Sequence, residues 1–298
     1  MESPLEHSAL PNANQLTGLS VIVPVYNEEK AVCDVLCQIA AALEPTGMPF
    51  EILVVDDGST DNSSSAAQSA GATLLKHPFN KGYGAALKTG IRRARFDTVA
   101  IIDADGTYPP DSLLTLLEHW GCNDMVVGAR VGAGAAIPLV RRPAKWVLNQ
   151  MANYLAGVNI PDLNSGLRVF KKSIAMQFLK ILPSGFSFTT TITLAMLSND
   201  YLVEYVPINY LPRVGSSKIR PIRDTFNFLS LILRTVMYYA PLKVFIPVSA
   251  AFLVPGLVKT LLDTFGHQMV TKSDLLLLVT GTIVAMLGLL ADLIDKRS

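Results

Sequence analysis

Two short apolar runs in the first half of the chain each end in aspartates. Phe50 to Val55 is followed by Asp56-Asp57, and Thr98 to Ile102 is followed by Asp103-Ala104-Asp105. If both runs are strands of one open α/β sheet, their carboxylates gather at its carboxyl edge, where such folds bind ligands. Crowded carboxylates repel one another unless a hard cation lies between them, and Mg²⁺ or Mn²⁺ on a diphosphate meets that requirement.

The surrounding segments predict a mostly parallel sheet with helices on both faces, because predicted strands alternate with predicted helices. The predicted strands are Leu19 to Val25, Phe50 to Asp56, Ala72 to Lys76, Thr98 to Ile102, Asp124 to Gly128 and Leu202 to Val206. The predicted helices are Glu28 to Leu43, Ser59 or Asp61 to Ala70, Gly84 to Arg95, Asp111 to Trp120, Arg142 to Ala156 and Thr190 to Ser198. A GxGxxG turn, which would indicate a dehydrogenase, does not follow the first strand.

Two apolar segments near the end of the chain are long enough to cross a bilayer. Val244 to Leu262 and Leu275 to Leu293 each supply about 20 residues, the length that spans a hydrocarbon core as a helix. Lys and Arg cluster before the first segment and after the second, so both termini are predicted to be cytoplasmic. Lys259 and Asp292 lie toward opposite ends of such a hairpin and cannot pair within it, so we expect them to snorkel, the alternative being a polar site within an oligomer.

The chain is predicted to have four parts: a disordered tail at 1–17 without a signal peptide, an α/β domain at 18–215, a basic juxtamembrane region at 216–242 and a hairpin at 243–298. Within the third part, Arg223, Asn227, Ser230 and Arg234 form one polar stripe. We favour a helix in the bilayer interface, the alternative being a core helix with one wet face. Small residues such as Gly281 and Gly288 are expected to pack between helices, in the hairpin or in a homo-oligomer.

Cysteine and histidine spacing excludes the common zinc sites. Cys33 and Cys37 lie four apart on a predicted helix, and no second ligand pair has zinc-type spacing. We therefore expect all three cysteines to be reduced. Separately, we expect no nucleic-acid partner.

Three loops after predicted strands carry candidate nucleotide contacts. Pro24, Tyr26 and Glu28 form a wall suited to a flat base, although Pro-x-Tyr-Asn is also good turn chemistry. In the Asp56-Asp57 loop one carboxylate can serve a helix cap, and the other can accept from a ribose hydroxyl or a base N–H. The amides and lysine of Asn80-Lys81-Gly82-Tyr83-Gly84 can face a nucleotide, with a flexible loop as an equal alternative.

These motifs belong to a longer series along the chain: Val23-Pro24-Val25-Tyr26-Asn27-Glu28, Val55-Asp56-Asp57-Gly58-Ser59-Thr60-Asp61, Asn80-Lys81-Gly82, Asp103-Ala104-Asp105-Gly106, Val127-Gly128-Ala129-Arg130, Asn164-Ser165-Gly166-Leu167-Arg168 and Arg213-Val214-Gly215-Ser216-Ser217-Lys218. The series resembles glycosyltransferase family 2, inverting enzymes of the GT-A fold. Its later members are similar to the branch of dolichyl-phosphate mannose synthase and bacterial polyprenyl-phosphate glucosyltransferases.

The resemblance implies a role for each matching residue. Pro24, Tyr26, Glu28, Asp56 and Lys81 would hold the nucleotide, and Asp103 with Asp105 would hold Mg²⁺ or Mn²⁺ on the diphosphate. In related enzymes a glutamine often stands where this chain has Thr107, which leaves a metal role for Thr107 open. A polyprenyl phosphate would be contacted by Arg130, Arg213, Ser217 and Lys218, with Arg141 and Arg142 as weaker candidates. Asp162 would lie near the sugar, the alternative being that it caps a turn. Arg168 is expected to be structural.

The sequence thus predicts a membrane-attached hexosyltransferase with a polyprenyl or dolichyl phosphate acceptor on the cytoplasmic face. GDP-mannose and UDP-glucose are both open as donors. A lipid phosphate is already an anionic nucleophile, so the chemistry needs no general base; it needs cations that let two anions approach. The alternatives are a processive polysaccharide synthase, although a Gln-x-x-Arg-Trp segment is absent, and a catalytically silent nucleotide-binding scaffold.

Overall fold

The structure is a computed structural model that describes residues 17–130, 150, 153–154, 157–185, 187–211, 237, 241–266 and 271–295. The predicted tail, the juxtamembrane basic segment and most of the predicted 142–156 and interfacial helices lie outside these residues.

A seven-stranded sheet forms the centre of the α/β domain. Its strands are β1 (Leu19–Val25), β2 (Phe50–Asp56), β3 (Thr73–Lys76), β4 (Thr98–Ile101), β5 (Met125–Arg130), β6 (Arg168–Lys171) and β7 (Val203–Ile208), in the order β3-β2-β1-β4-β6-β5-β7. Each neighbouring pair is parallel except for β6, which runs antiparallel to both β4 and β5. The strand order reverses between β1 and β4, and crevices at such switch points are where open α/β sheets bind ligands.

Helices cover both faces of the sheet. They are α1 (Val32–Leu43), α2 (Ser63–Ser69), α3 (Tyr83–Arg93), α4 (Asp111–Glu118), α5 (Lys172–Phe178) and α6 (Phe188–Ser198). Alternate residues of β1 divide between the two apolar cores: Val21 and Val23 pack with α1 and α4, whereas Ile22 packs with α3 and α6. All seven residues of β1 are buried, as expected for a strand with helices on both sides.

The sequence-based boundaries need three corrections. The first helix was predicted from Glu28 but begins at Val32. The amides of Glu28 and Glu29 instead belong to the preceding loop and donate to Ser63 Oγ and Asp61 Oδ2. Strand β6 was not predicted, since its four residues show no alternation that distinguishes them from a loop. Helix α5, which follows β6 without a linking residue and has only seven residues, was also missed.

The two apolar segments form a helical hairpin of α7 (Leu242–Phe265) and α8 (Lys272–Asp295). Both helices are long and apolar enough to cross a membrane, and only 11% of the most apolar window of each is buried. The predicted packing of small residues is found within the hairpin: Gly281 lies against Leu253, Gly288 lies against Phe245, and Ser249 Oγ donates to the Gly281 carbonyl at 2.8 Å.

Lys259 was expected to snorkel, but it is held in an ion pair within the hairpin. Its Nζ lies 2.7 Å from Asp274 Oδ1 and donates to Thr271 Oγ1 and Ser273 Oγ at 2.9 and 2.6 Å. Asp274 is fully buried and also accepts from the Thr271 amide. The hairpin therefore joins its two helices by an ion pair near the connection between them.

The close approach at Gly281 predicts a stability effect. A Cβ at this position would lie 2.6 Å from Leu253 Cγ, so Gly281→Leu should overpack the hairpin and destabilise it by about 2 kcal/mol. The neighbouring exposed Thr282 is a matched site, where Thr282→Leu should change stability by less than about 0.5 kcal/mol. Thermal unfolding of the two variants in the same detergent measures the difference; equal melting temperatures would contradict helix contact at Gly281.

Candidate active site

The carboxyl ends of the strands bring the predicted site residues to one edge of the sheet. Tyr26 and Glu28 follow β1, Asp56 ends β2, the acidic pair follows β4, and Arg130 ends β5. Because β6 runs the other way, the segment 164–166 that precedes it arrives at this same edge. These residues therefore share one edge of the sheet.

The loops after β1 and β2 are joined by hydrogen bonds. The Asn27 side chain accepts from the Thr60 amide at 2.8 Å, while the Asn27 amide donates to Ser59 Oγ at 3.0 Å. Asn27 has a positive φ of 54°, which asparagine tolerates better than most residues do. Buried Pro24 and half-buried Tyr26 and Glu28 therefore stand on a backbone that is already fixed.

Asp56 and Asp57 have different partners. Asp56 is fully buried and accepts from the Ser59 amide at 2.8 Å and from Ser64 Oγ. Asp57 accepts from His77 Nδ1, 2.7 Å away, and from the amides of Lys81 and Gly82 at 2.9 and 2.7 Å. Neither acid caps α2, whose N-cap is Asn62 without a side-chain cap bond.

The loop from His77 to Gly82 is thus anchored, which corrects two expectations. It is not a free flexible loop, and the amides of Lys81 and Gly82 donate to Asp57 instead of facing a nucleotide. The side chain of Lys81 is exposed above the Phe79 ring, 5.6 Å from its centroid, and stays the candidate group. His77 was not singled out from the sequence, where it has no pattern to distinguish it.

The acidic pair at the end of β4 is held by two hydroxyl groups. Tyr83 Oη donates to Asp103 Oδ1 at 2.8 Å. Thr107 donates to Asp105 Oδ1 through both its amide and its hydroxyl, at 3.1 and 2.6 Å. Burial, together with the charge of Asp103, raises the pKa of Tyr83 well above its ordinary value, so the phenol stays a donor. Thr107 is fully buried and supports Asp105 through these two bonds.

Gly166 lies directly against Asp103. A Cβ on Gly166 would overlap the Asp103 carboxylate, so any residue larger than glycine would displace that carboxylate. The Gly166 amide donates to Tyr108 Oη at 2.7 Å, which fixes the segment in position.

Arg168 is buried and supports this segment, in agreement with the structural role expected for it. Its side chain is 0% exposed and donates to the carbonyl oxygens of Ser165 and Thr189 at 2.6 and 3.0 Å and to Thr193 Oγ1 at 3.0 Å. A fully buried guanidinium has no access to a substrate phosphate.

Arg130 and Asp162 form a bidentate pair. Nε and Nη2 of Arg130 donate to Oδ2 and Oδ1 of Asp162 at 2.6 and 2.9 Å. The guanidinium also lies over the Tyr210 ring, 5.2 Å from its centroid. Although burial disfavours both charges, each partner stabilises the other, so the pKa of Arg130 is raised and that of Asp162 is lowered. Both residues were predicted to lie in the site, but their pairing was not predicted.

The other predicted acceptor contacts, Arg213, Ser217, Lys218, Arg141 and Arg142, lie outside the described residues. Among the residues that the structure describes, no three His, Cys, Asp or Glu side chains come together as a complete metal site. Two carboxylates at the edge of the sheet nevertheless fit Mg²⁺ or Mn²⁺, because these ions are commonly held by one or two carboxylates together with substrate phosphates and water.

The depressed pKa of Asp162 predicts how the pair contributes to stability. The contribution is complete above the unfolded-state value of about 3.9 and is lost as pH falls through the lower folded-state value. Asp162→Asn should therefore destabilise the protein by about 3 kcal/mol at pH 7 and by less near pH 3, which lies below the unfolded-state value. Melting curves at both pH values, with exposed Glu118→Gln as the charge-matched control, test this; a pH-independent difference would contradict it.

Comparisons with known proteins agree with this architecture. The family model described as "Glycosyl transferase family 2" matches residues 20–179, and that described as "GtrB C-terminal hairpin" matches residues 240–296. The low-salt glycan biosynthesis hexosyltransferase Agl6 of Haloferax volcanii is 31% identical over 72% of this chain and 53% of its own length. The undecaprenyl-phosphate 4-deoxy-4-formamido-L-arabinose transferase of Pectobacterium atrosepticum is 28% identical over 84% and 76% of the two chains. This chain thus spans about half of the first relative and three quarters of the second.

A solved structure shows the same fold at low sequence identity. Glucosyl-3-phosphoglycerate synthase of Mycobacterium tuberculosis, in complex with Mn²⁺, UDP-glucose and phosphoglyceric acid, has a TM-score of 0.57 and 21% identity over 74% of this chain and 80% of that one. The family match covers more than half of the chain and includes the strand-end motifs and the acidic pair. The chain belongs to glycosyl transferase family 2 and carries a GtrB-type C-terminal hairpin.

Proposed function

We propose that this protein transfers a hexose from a nucleotide sugar to a polyprenyl phosphate at the cytoplasmic face of a membrane, with inversion at the anomeric carbon. The observation that carries the proposal is the position of Asp103 and Asp105 beside the strand-order switch, on the same sheet edge as Arg130. The bacterial relative's name includes undecaprenyl phosphate, and the C-terminal hairpin supports an acceptor that is embedded in lipid.

The donor would bind along the loops after β1 and β2. Tyr26 and Glu28 would line the base and ribose, and the buried Pro24 and Asp56 would support the loops that carry them. Because the Asn27–Thr60 and Asn27–Ser59 bonds fix these loops, little ordering would accompany donor binding. Lys81, exposed at the edge of the site, would contact the diphosphate. The donor sugar, mannose or glucose, and the choice of GDP or UDP are left to experiment.

Asp103 and Asp105 would hold Mg²⁺ or Mn²⁺, and that ion would neutralise charge on the departing nucleoside diphosphate. The Mn²⁺ in the mycobacterial structure supports a divalent ion in this fold. The chain's own contribution includes orientation, since the hydroxyl of Thr107 holds Asp105 in place.

The acceptor phosphate needs cations more than it needs a base. A phosphate monoester is already ionised near neutral pH, and its approach to a diphosphate is opposed by like charge. The Arg130 guanidinium has five N–H donors, and two of them are donated to the Asp162 carboxylate. Arg130 can therefore hold Asp162 and still bind a phosphate oxygen. Arg213, Ser217 and Lys218 would complete this acceptor site.

The proposal predicts the outcome of a donor-panel assay. Purified protein, incubated with undecaprenyl phosphate, Mn²⁺ and radiolabelled nucleotide sugars, should give a labelled lipid with at least one donor. Asp105→Asn should lower that activity at least about 100-fold while the protein stays folded, because charge stabilisation in the transition state is lost. The exposed Asp111→Asn, at the start of α4, is the matched control and should keep activity.

No labelled lipid from any donor would contradict the proposal. Formation of a polymer would favour the processive synthase. Nucleotide binding that is indifferent to Asp105→Asn, together with no product, would favour the silent scaffold.

A further inference from the structure

The Asp103 carboxylate is held on two sides by groups that no step of the proposed function uses. Tyr83 Oη donates to Oδ1 at 2.8 Å. On the other side Gly166 leaves the space that the carboxylate occupies. A carboxylate with a donor on one side and backbone on the other has little freedom to rotate about its χ angles.

Tyr83 is itself placed by a network that begins at Asp57. The three hydrogen bonds from His77, Lys81 and Gly82 to Asp57 fix the loop that leads into α3, and Tyr83 is the first residue of that helix. The start of α3 is also tied to the segment before α6, since the Ala85 amide donates to the Ser184 carbonyl at 3.0 Å.

Gly82 and Gly84 allow this close contact. A Cβ on Gly82 would lie 2.5 Å from the Ser184 carbonyl oxygen, and Gly82 has a φ of 102°. A side chain on Gly84 would meet the backbone of Pro183 and Gly185. The glycines on either side of Tyr83 therefore bring its ring against the end of β4, where its hydroxyl reaches Asp103.

We propose that Tyr83 is a positioning residue, whose hydroxyl holds Asp103 in the orientation that binds a divalent cation together with a nucleoside diphosphate. The inference deepens the proposed function and rests on its metal assignment. Groups that orient a metal-binding carboxylate from outside typically change metal affinity by about 10- to 100-fold when removed. Asp57 acts further back in the same network, because it anchors the loop that carries Tyr83.

Tyr83→Phe keeps the ring and removes only the hydroxyl, so it tests this role directly. The readout is Mn²⁺ binding by electron paramagnetic resonance in the presence of UDP or GDP, without acceptor and without turnover. We expect Tyr83→Phe to weaken Mn²⁺ binding roughly 10-fold and to leave metal-free nucleotide binding unchanged. In assays with a working donor, the Mn²⁺ concentration for half-maximal rate should rise more than the rate at saturating Mn²⁺ falls.

The matched control is Tyr201→Phe, which removes a phenol hydrogen bond to Gln177 Oε1 on the protein surface. It should bind Mn²⁺ as the wild type does. Gly166→Ala provides a second test from the opposite side, since its methyl group would displace the Asp103 carboxylate and should also weaken Mn²⁺ binding. Melting temperatures of all variants verify that they are folded.

The outcomes separate this inference from the proposed function. Wild-type Mn²⁺ affinity in folded Tyr83→Phe would overturn the role of Tyr83 and leave the transferase proposal standing. A parallel loss of metal-free nucleotide binding would also overturn it, because the hydroxyl would then support the whole pocket. If the wild type binds no Mn²⁺ with nucleotide, both the inference and the metal assignment are wrong.

Discussion

Repulsion between neighbouring carboxylates is the constraint on which the arrangement of the site depends. Two unit charges about 4 Å apart repel by about 4 kcal/mol at an effective dielectric constant of 20. The chain concentrates such charges at the end of β4 and then surrounds them with donors: Tyr83 and Thr107 each give a hydroxyl hydrogen bond to one aspartate. Asp162 is held in a bidentate pair by Arg130, at the end of β5. The result is an edge where each negative group has a defined direction before any ligand arrives.

The strand-end motifs could be predicted because strand direction and chain order determine which ends meet. Once β1, β2 and β4 were recognised as parallel strands, Tyr26, Asp56 and Asp103 had to share an edge. What could not be predicted was the use of each polar atom. Asp56 and Asp57 are adjacent and chemically identical, yet one supports its own loop and the other anchors the loop at 77–82. That difference depends on tertiary hydrogen bonds between residues more than twenty positions apart, which local patterns do not contain.

The antiparallel strand β6 was the main feature that sequence reasoning missed, and it changes how the site is assembled. In a wholly parallel sheet the segment before a strand lies at the opposite edge from the ligands. Because β6 is reversed, Gly166 comes into contact with Asp103 at the edge where the ligands would bind. The fully buried Arg168 at the start of β6 ties this segment to α6. The short strand therefore explains why the Asn-Ser-Gly sequence lies beside the acidic pair, which spacing alone did not reveal.

The ion pair between Lys259 and Asp274 has a consequence for how the hairpin enters a bilayer. A lone lysine or aspartate deep in an inserting helix costs about 2.5–3.5 kcal/mol. In the hairpin Lys259 and Asp274 are 2.7 Å apart, and the Lys259 ammonium also donates to Thr271 and Ser273. Each of these two charges therefore lies beside a group of opposite sign supplied by the other helix. The pairing lowers the cost of placing this end of the hairpin close to hydrocarbon.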